Sequence, residues 1–180
     1  ILQAHQQLLG AFPDLLPILV PRHPERFEEV ATLCEQANFP YQRRTNQVEL
    51  SIATKVLLGD SMGELLLWYA CADLAFVGGS LVEVGGHNPL EALAFAVPVV
   101  SGQYVHNFQD IYPALVQVGA AVLVDSPAVL AHHLAAWLAN PAERQQAGQA
   151  GLQFLEQQRG VVERLMPELD RLLKAEIKQI

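Results

Sequence analysis

Two glycine pairs, an Asn-Pro step and a glutamate fall within one short stretch, Phe76-Val77-Gly78-Gly79-Ser80-Leu81-Val82-Glu83-Val84-Gly85-Gly86-His87-Asn88-Pro89-Leu90-Glu91. An apolar run ends in the first glycine pair, and an amphipathic run opens at Asn88-Pro89. That order is a buried strand, a glycine-rich loop and a helix start. Glycine lets backbone approach a ligand closely and adopts positive φ. A helix N-terminus presents unpaired N–H groups and the positive end of a dipole, which suits a phosphate. Glu91 falls in the first helical turn, where a carboxylate repels phosphate but accepts hydrogen bonds from ribose hydroxyls. The stretch therefore reads as a nucleotide cradle. Capping alone explains part of it, with Asn88 as N-cap, Pro89 as first helical residue and Glu91 as the N3 partner. It leaves the two glycine pairs unexplained.

Other candidates follow apolar runs in the same way. Arg22 comes directly after Leu15–Pro21, at the carboxyl end of a predicted strand, where open α/β sheets bind ligands. Its guanidinium stays charged and forks onto phosphate or carboxylate oxygens; a surface ion pair is the plainer alternative. Arg26, in the first turn of the next helix, sits where the dipole disfavours a cation. His23 carries no decisive signal. Ser61-Met62-Gly63-Glu64 has capping-box spacing, which favours a cap as the role of the Glu64 carboxylate. The turn also follows a strand, and Gly63 permits close approach, so a pyrimidine could lie against Met62 and bond to the turn's backbone. Asn107 with Asp110 is most simply another cap, although its loop leaves a strand on the ligand side. The six histidines form no metal constellation, and adjacent His132 and His133 point about 100° apart on a helix. Nucleophile-elbow, Cys–His and P-loop patterns are absent.

The segment Gly-Gly-Ser-Leu-Val-x-x-Gly-Gly-His-Asn-Pro-Leu-Glu resembles the signature of the bacterial 3-deoxy-D-manno-octulosonic acid (Kdo) transferases. Three more segments agree, in the family's order: Leu19-Val20-Pro21-Arg22-His23-Pro24-Glu25-Arg26-Phe27, Gly59-Asp60-Ser61-Met62-Gly63-Glu64-Leu65 and Asn107-Phe108-Gln109-Asp110-Ile111. The likeness runs from about His5 to the C-terminus. It implies that Pro21, Arg22, Met62, Gly63, Glu64, Asn88, Pro89, Leu90 and Glu91 hold a cytidine nucleotide, with Gly85, Gly86, His87 and Asn107 as further donor contacts. Val84 departs from the pattern, standing where family members often carry a basic residue. Arg22 would then bear more of the anion binding.

The elements that must position these residues alternate along the chain. Strands are predicted near Leu15–Val20, Tyr41–Arg43, Lys55–Leu58, Leu74–Val77, Pro98–Ser101 and Ala121–Val124. Helices are predicted near Ile1–Gly10, Pro24–Ala37, Gly63–Ala70, Pro89–Ala96 and Phe108–Val118. The alternation indicates a parallel sheet covered on both faces, an α/β, doubly wound, Rossmann-like fold. Asn38 to Thr54 is the most polar connection. Helical runs over Ser126–Ala139, Pro141–Gln158 and Gly160–Lys174 follow, and Pro167 should kink or break the last. The predicted division is a Rossmann-like, CMP-sugar-binding domain over residues 1–158, for which the resemblance implies an earlier strand upstream, and a kinked helix over 159–180 that the resemblance sends back toward an N-terminal domain. In a sheet of order 3-2-1-4-5-6 the missing strand is a central one.

Composition narrows the function. The chain has 180 residues, 51% of them hydrophobic, enough for one domain with a sizeable core. A net charge of −8 argues against a general nucleic-acid binder. No apolar run reaches the ~18 residues of a membrane span; the longest, Leu65 to Val77, is broken by Asp73. No signal peptide is visible, and the chain opens on Ile1 rather than Met. Cys34 and Cys71 fall in predicted helices and read as buried thiols, which fits a reducing compartment.

The resemblance implies the C-terminal, donor-binding half of a GT-B glycosyltransferase. Its expected donor is CMP-Kdo and its acceptor a lipid A precursor, in lipopolysaccharide synthesis, with inversion. No cofactor or metal is expected. The general base, the acceptor surface and the membrane association would lie in an N-terminal domain outside this chain. The whole protein would work at the cytoplasmic face of the inner membrane, while this segment alone would be soluble and inactive. The glycine loop and the acidic residue also suit a UDP- or ADP-sugar enzyme, or a non-catalytic nucleotide-binding domain. The number of Kdo units, the acceptor details and the oligomeric state are not written in the sequence.

Overall fold

A computed structural model describes residues 1–158 together with Met166 and Pro167. The kink expected at Pro167 and the segment 159–180 otherwise lie outside the described residues. Within them the chain alternates as the patterning requires. Helix α1 (Leu2–Leu8) precedes β1 (Ile18–Leu19), and α2 (Phe27–Gln36) precedes β2 (Tyr41–Arg43). Then come β3 (Val56–Leu58), α3 (Leu65–Cys71), β4 (Ala75–Val77), α4 (Leu90–Leu93), β5 (Val99–Gly102), α5 (Tyr112–Gln117) and β6 (Ala121–Val124). Helices α6 (Pro127–Ala139) and α7 (Pro141–Gln158) finish the described chain. Ser126 caps α6 by accepting from Val129 N, and Pro127 takes the first helical position.

Every strand pair is parallel, but the ladder is in two pieces. Strand β3 lies between β1 and β2, and β5 lies between β4 and β6. Strands β1 and β4 are thus the inner edges of the two halves, and no ladder joins them among the described residues. Helix α1 bridges the halves instead. Ala4 and Leu8 pack with Val100, Val124, Leu130 and Ala131, while Leu2 and Leu9 pack with Cys34, Phe39 and Val56.

Three helices stop by one device. After α2, α4 and α5 a residue turns left-handed, at Asn38, Ala96 and Gly119. At each, that residue's N–H and the next one's reach back three and five residues, as in Phe39 N to Cys34 O, Val97 N to Ala92 O and Ala120 N to Leu115 O. Asn and Gly suit this position; Ala is held there against a preference of roughly 1–2 kcal/mol. Helix α4 is consequently four residues long and not the expected Pro89–Ala96. A second correction concerns the cysteines: Cys34 is buried, but Cys71 is exposed on α3.

Candidate functional site

In a parallel sheet the loops that leave the carboxyl ends of strands share one edge. Here those loops carry Pro21-Arg22 after β1, Gly59–Glu64 after β3, Gly78–Glu91 after β4 and Gln103–Asn107 after β5. A hydrogen bond across the unladdered gap ties the two halves. Arg22 Nη1 donates to His87 Nδ1 at 3.1 Å. Burial, and then the charges of Arg22 and His23, hold the His87 imidazole below its ordinary value. Arg22 is exposed and has no carboxylate within ion-pair distance among the described residues.

The glycine loop is pinned from below. Ser80, fully buried, donates from Oγ to Val77 O at 2.7 Å and accepts there from Gly102 N at 2.7 Å. Gly86 N reaches Gly79 O at 2.8 Å and closes the loop on itself. Gly85 has φ +102°, and a Cβ there would sit 2.4 Å from Asn107 Nδ2 and 2.6 Å from His106 Nε2. Only glycine fits both constraints. Asn107 in turn donates from Nδ2 to Val84 O at 3.3 Å and Gly86 O at 3.5 Å, and its own N–H reaches Gly85 O at 3.0 Å. Asn107 is therefore a brace for the glycine loop and not the cap of a helix with Asp110. Val84 is 56% exposed.

Asn88 and Glu91 meet as the spacing predicts, with one change. Asn88 Oδ1 accepts from Leu90 N at 3.0 Å, which is a cap. Asn88 Nδ2 donates to Glu91 Oε1 at 3.1 Å, so the pair closes through the side-chain amide instead of the backbone N–H of a capping box. One Glu91 oxygen is thereby oriented and the other has no protein donor among the described residues. Tyr69 of α3 lies near enough to feel this carboxylate. Its hydroxyl is pushed up to about 12 by burial, then by Glu91 and Tyr112. Because α4 has only four residues, its dipole is slight, and the phosphate argument from a long helix start does not hold.

The 61–64 turn is also rebuilt. Ser61 Oγ donates to Glu64 Oε2, and Arg44 Nη2 donates to Glu64 Oε1 at 3.0 Å. The two bonds, Ser61 first, hold the Glu64 carboxyl below its ordinary value. Glu64 is thus not an N-cap partner; the expected cap is corrected, since the serine hydroxyl spends its proton on the carboxylate. Gly63 has φ +81° and nothing within 4 Å of a would-be Cβ, and Met62 is 60% exposed. The turn presents bare backbone and an apolar side chain to the edge. Arg26 stays outside the site, forked onto Glu29 at 3.0 and 2.9 Å.

Two residues escaped the sequence reading. Asp60 is 7% exposed and accepts from Thr45 N at 3.0 Å and Thr45 Oγ1 at 2.7 Å. Arg44 fixes Glu64 as described. A carboxylate directly after a buried strand was the available signal, because it must find donors. Nothing marked Arg44, which lies in the polar connection.

The fold is that of the Rossmann-like C-terminal half of a GT-B glycosyltransferase. The family described as glycosyl transferases group 1 matches residues 5–154, and the chain belongs to it. The particular resemblance read from the motifs holds as well. The chain is 45% identical over 178 residues, 98% of its length, to the 3-deoxy-D-manno-octulosonic acid transferase of Haemophilus influenzae. It is 36% identical over 170 residues, 94% of its length, to the enzyme of that name from Bordetella pertussis. The chain spans 42% and 39% of these two relatives. Among solved structures, the C-terminal CMP-Kdo binding domain of WaaA from Acinetobacter baumannii superposes with a TM-score of 0.82 at 39% identity. That match covers 88% of this chain and 82% of that one.

Proposed function

We propose that this chain is the CMP-Kdo-binding domain of an inverting glycosyltransferase that moves Kdo from CMP-Kdo to a lipid A precursor in lipopolysaccharide synthesis. The observation that supports this most is structural similarity to a CMP-Kdo binding domain at 39% identity. It coincides with the gathering of Arg22, the 61–64 turn and the 85–91 loop at one sheet edge. Cytosine lies against Met62 and bonds to the backbone of Gly63 and Glu64. The ribose hydroxyls donate to Glu91, which Asn88 holds in place. Pro21, Pro89 and Leu90 shape the walls, and Gly85, Gly86 and Asn107 line the donor side. Arg22 takes the phosphate. As the sugar leaves, negative charge grows on that phosphate, and a fixed guanidinium stabilises it more than it stabilises the ground state. No metal is called upon. The carboxylate base, acceptor surface and membrane contact belong to the part of the protein outside this chain. The complete enzyme would work at the cytoplasmic face of the inner membrane, and this domain alone would bind nucleotide without turnover.

Calorimetric titration with CMP, UMP and ADP tests the proposal. CMP is expected to bind tightest, and unlabelled UMP and ADP to displace it poorly. Preference for UMP or ADP would assign the edge to another sugar nucleotide, and binding of none would overturn the nucleotide role.

A further inference from the structure

The Arg22–His87 bond crosses the gap between the two halves, which share no ladder among the described residues. A guanidinium only donates, so His87 Nδ1 must be the acceptor and the ring proton must sit on Nε2. The ring has little freedom. A Cβ on Gly79 would sit 3.0 Å from Nε2 and 3.2 Å from Cδ2, so the imidazole occupies the space that a side chain there would take. Tyr112 Oη donates to the His87 carbonyl at 3.5 Å and holds the main chain. Arg22 has no carboxylate within ion-pair distance among the described residues, and His87 is its side-chain partner.

We propose that His87 is a positioning residue: as a neutral acceptor seated on Gly79, it aims the Arg22 guanidinium across the gap at the nucleotide phosphate. A carboxylate in this place would neutralise Arg22 and compete with phosphate for it. A neutral imidazole orients the cation and leaves its charge for the ligand. Protonated His87 would face Arg22 as a like charge, with His23 adding to it, so the bond exists only with the neutral ring. The role rests on the nucleotide-binding function proposed above.

The test is a double-mutant cycle in CMP affinity at pH 7.5, with melting curves to confirm that each variant is folded. His87→Leu is expected to weaken CMP about tenfold, the scale of one lost hydrogen bond to a charged group. His87→Gln, which keeps an acceptor, should restore most of that. In the Arg22→Ala background His87→Leu should add nothing, because its effect passes through Arg22. An equal loss in that background, or no loss in the wild-type background, overturns the positioning role. A second readout needs no nucleotide. By NMR, ligand-free His87 should carry its proton on Nε2, and Arg22→Ala should raise the pH at which the ring titrates. If CMP fails to bind wild type while this coupling is present, the nucleotide function falls and the Arg22–His87 pairing stands. An unchanged titration with Arg22 removed contradicts the pairing itself.

Discussion

The half built on β4, β5 and β6 and the half built on β1, β2 and β3 hold the same edge by different means. All four residues of β5 are buried, and its half packs Leu93, Val97, Val99, Tyr112 and Leu115 into one core. In the other half only β3 is fully buried, and the core cluster beneath it is Cys34, Phe39 and Val56. Polar contacts do more there. Arg43 forks onto Glu28 at 2.7 and 2.6 Å, Arg44 holds Glu64, and Asp60 holds Thr45. Both buried side-chain nitrogens left without a partner among the described residues, His5 Nδ1 and Trp68 Nε1, lie against this half; His5 donates from Nε2 to Lys55 O, and Trp68 sits over Gly59. The glycine loop thus stands on close packing, and the 61–64 turn stands on an ion-paired surface. The wall proposed for the ribose is thus the rigid one, and the wall proposed for the base the softer.

The largest expected effect breaks the rigid wall. A Cβ on Gly102 would lie 2.0 Å from Ser80 O, so Gly102→Ala must displace the pinned loop. Overpacking of this kind costs about 3 kcal/mol, or roughly 6–12 °C in melting temperature for a chain of this size. CMP affinity should fall with it. An unaltered melting curve would show that the loop is not pinned there.

A smaller effect is expected in the softer half. Asp60→Ala removes the acceptor of Thr45 N–H and should cost about 1 kcal/mol, roughly 2–4 °C. Hydrogen exchange should then quicken in residues 38–62 and stay unchanged in β5 and β6. Equal quickening in both halves would erase the distinction between them.

The smallest effect is a pH dependence. Burial lowers the pKa of His5 from its ordinary 6.5 and that of His87 in the same direction. The native state therefore binds fewer protons than the unfolded chain as pH falls through 6.5. Their contribution to stability is complete above that pH and shrinks below it, down to their native values. Melting temperature should drop between pH 7.5 and 5.5, and His5→Gln should lessen the drop. A steeper drop in the variant would reverse the sign.

Much of this was legible in the residues. The strands over Tyr41–Arg43 and Ala121–Val124 and the helix over Pro141–Gln158 have the bounds that apolar patterning gives them. Arg22, the 61–64 turn and the glycine loop come to one edge because parallel strands require it. What escaped depends on contacts distant in sequence. The early end of α4 follows from a left-handed Ala96 packed under α7, where a Cβ on Gly148 would meet Ala96 O at 1.8 Å. Nothing local favours Ala over Gly there. Asn107 looked like a cap because its partners, Val84 O and Gly86 O, lie on another loop. Ser61-x-x-Glu64 has the spacing of a cap, and the contact that departs from that reading comes from Arg44, twenty residues away.

Glu91 separates a nucleotide site from a well-capped loop most directly. If its carboxylate accepts from ribose hydroxyls, those charge-assisted bonds are worth about 1.5–3 kcal/mol, and Glu91→Ala should weaken CMP roughly ten- to a hundredfold. Calorimetric titration of wild type and variant with CMP and deoxy-CMP is the measurement. Deoxy-CMP should bind wild type less well than CMP and lose little more in the variant. A variant that melts earlier yet binds CMP like wild type would make Glu91 a partner of Asn88 only and contradict the site.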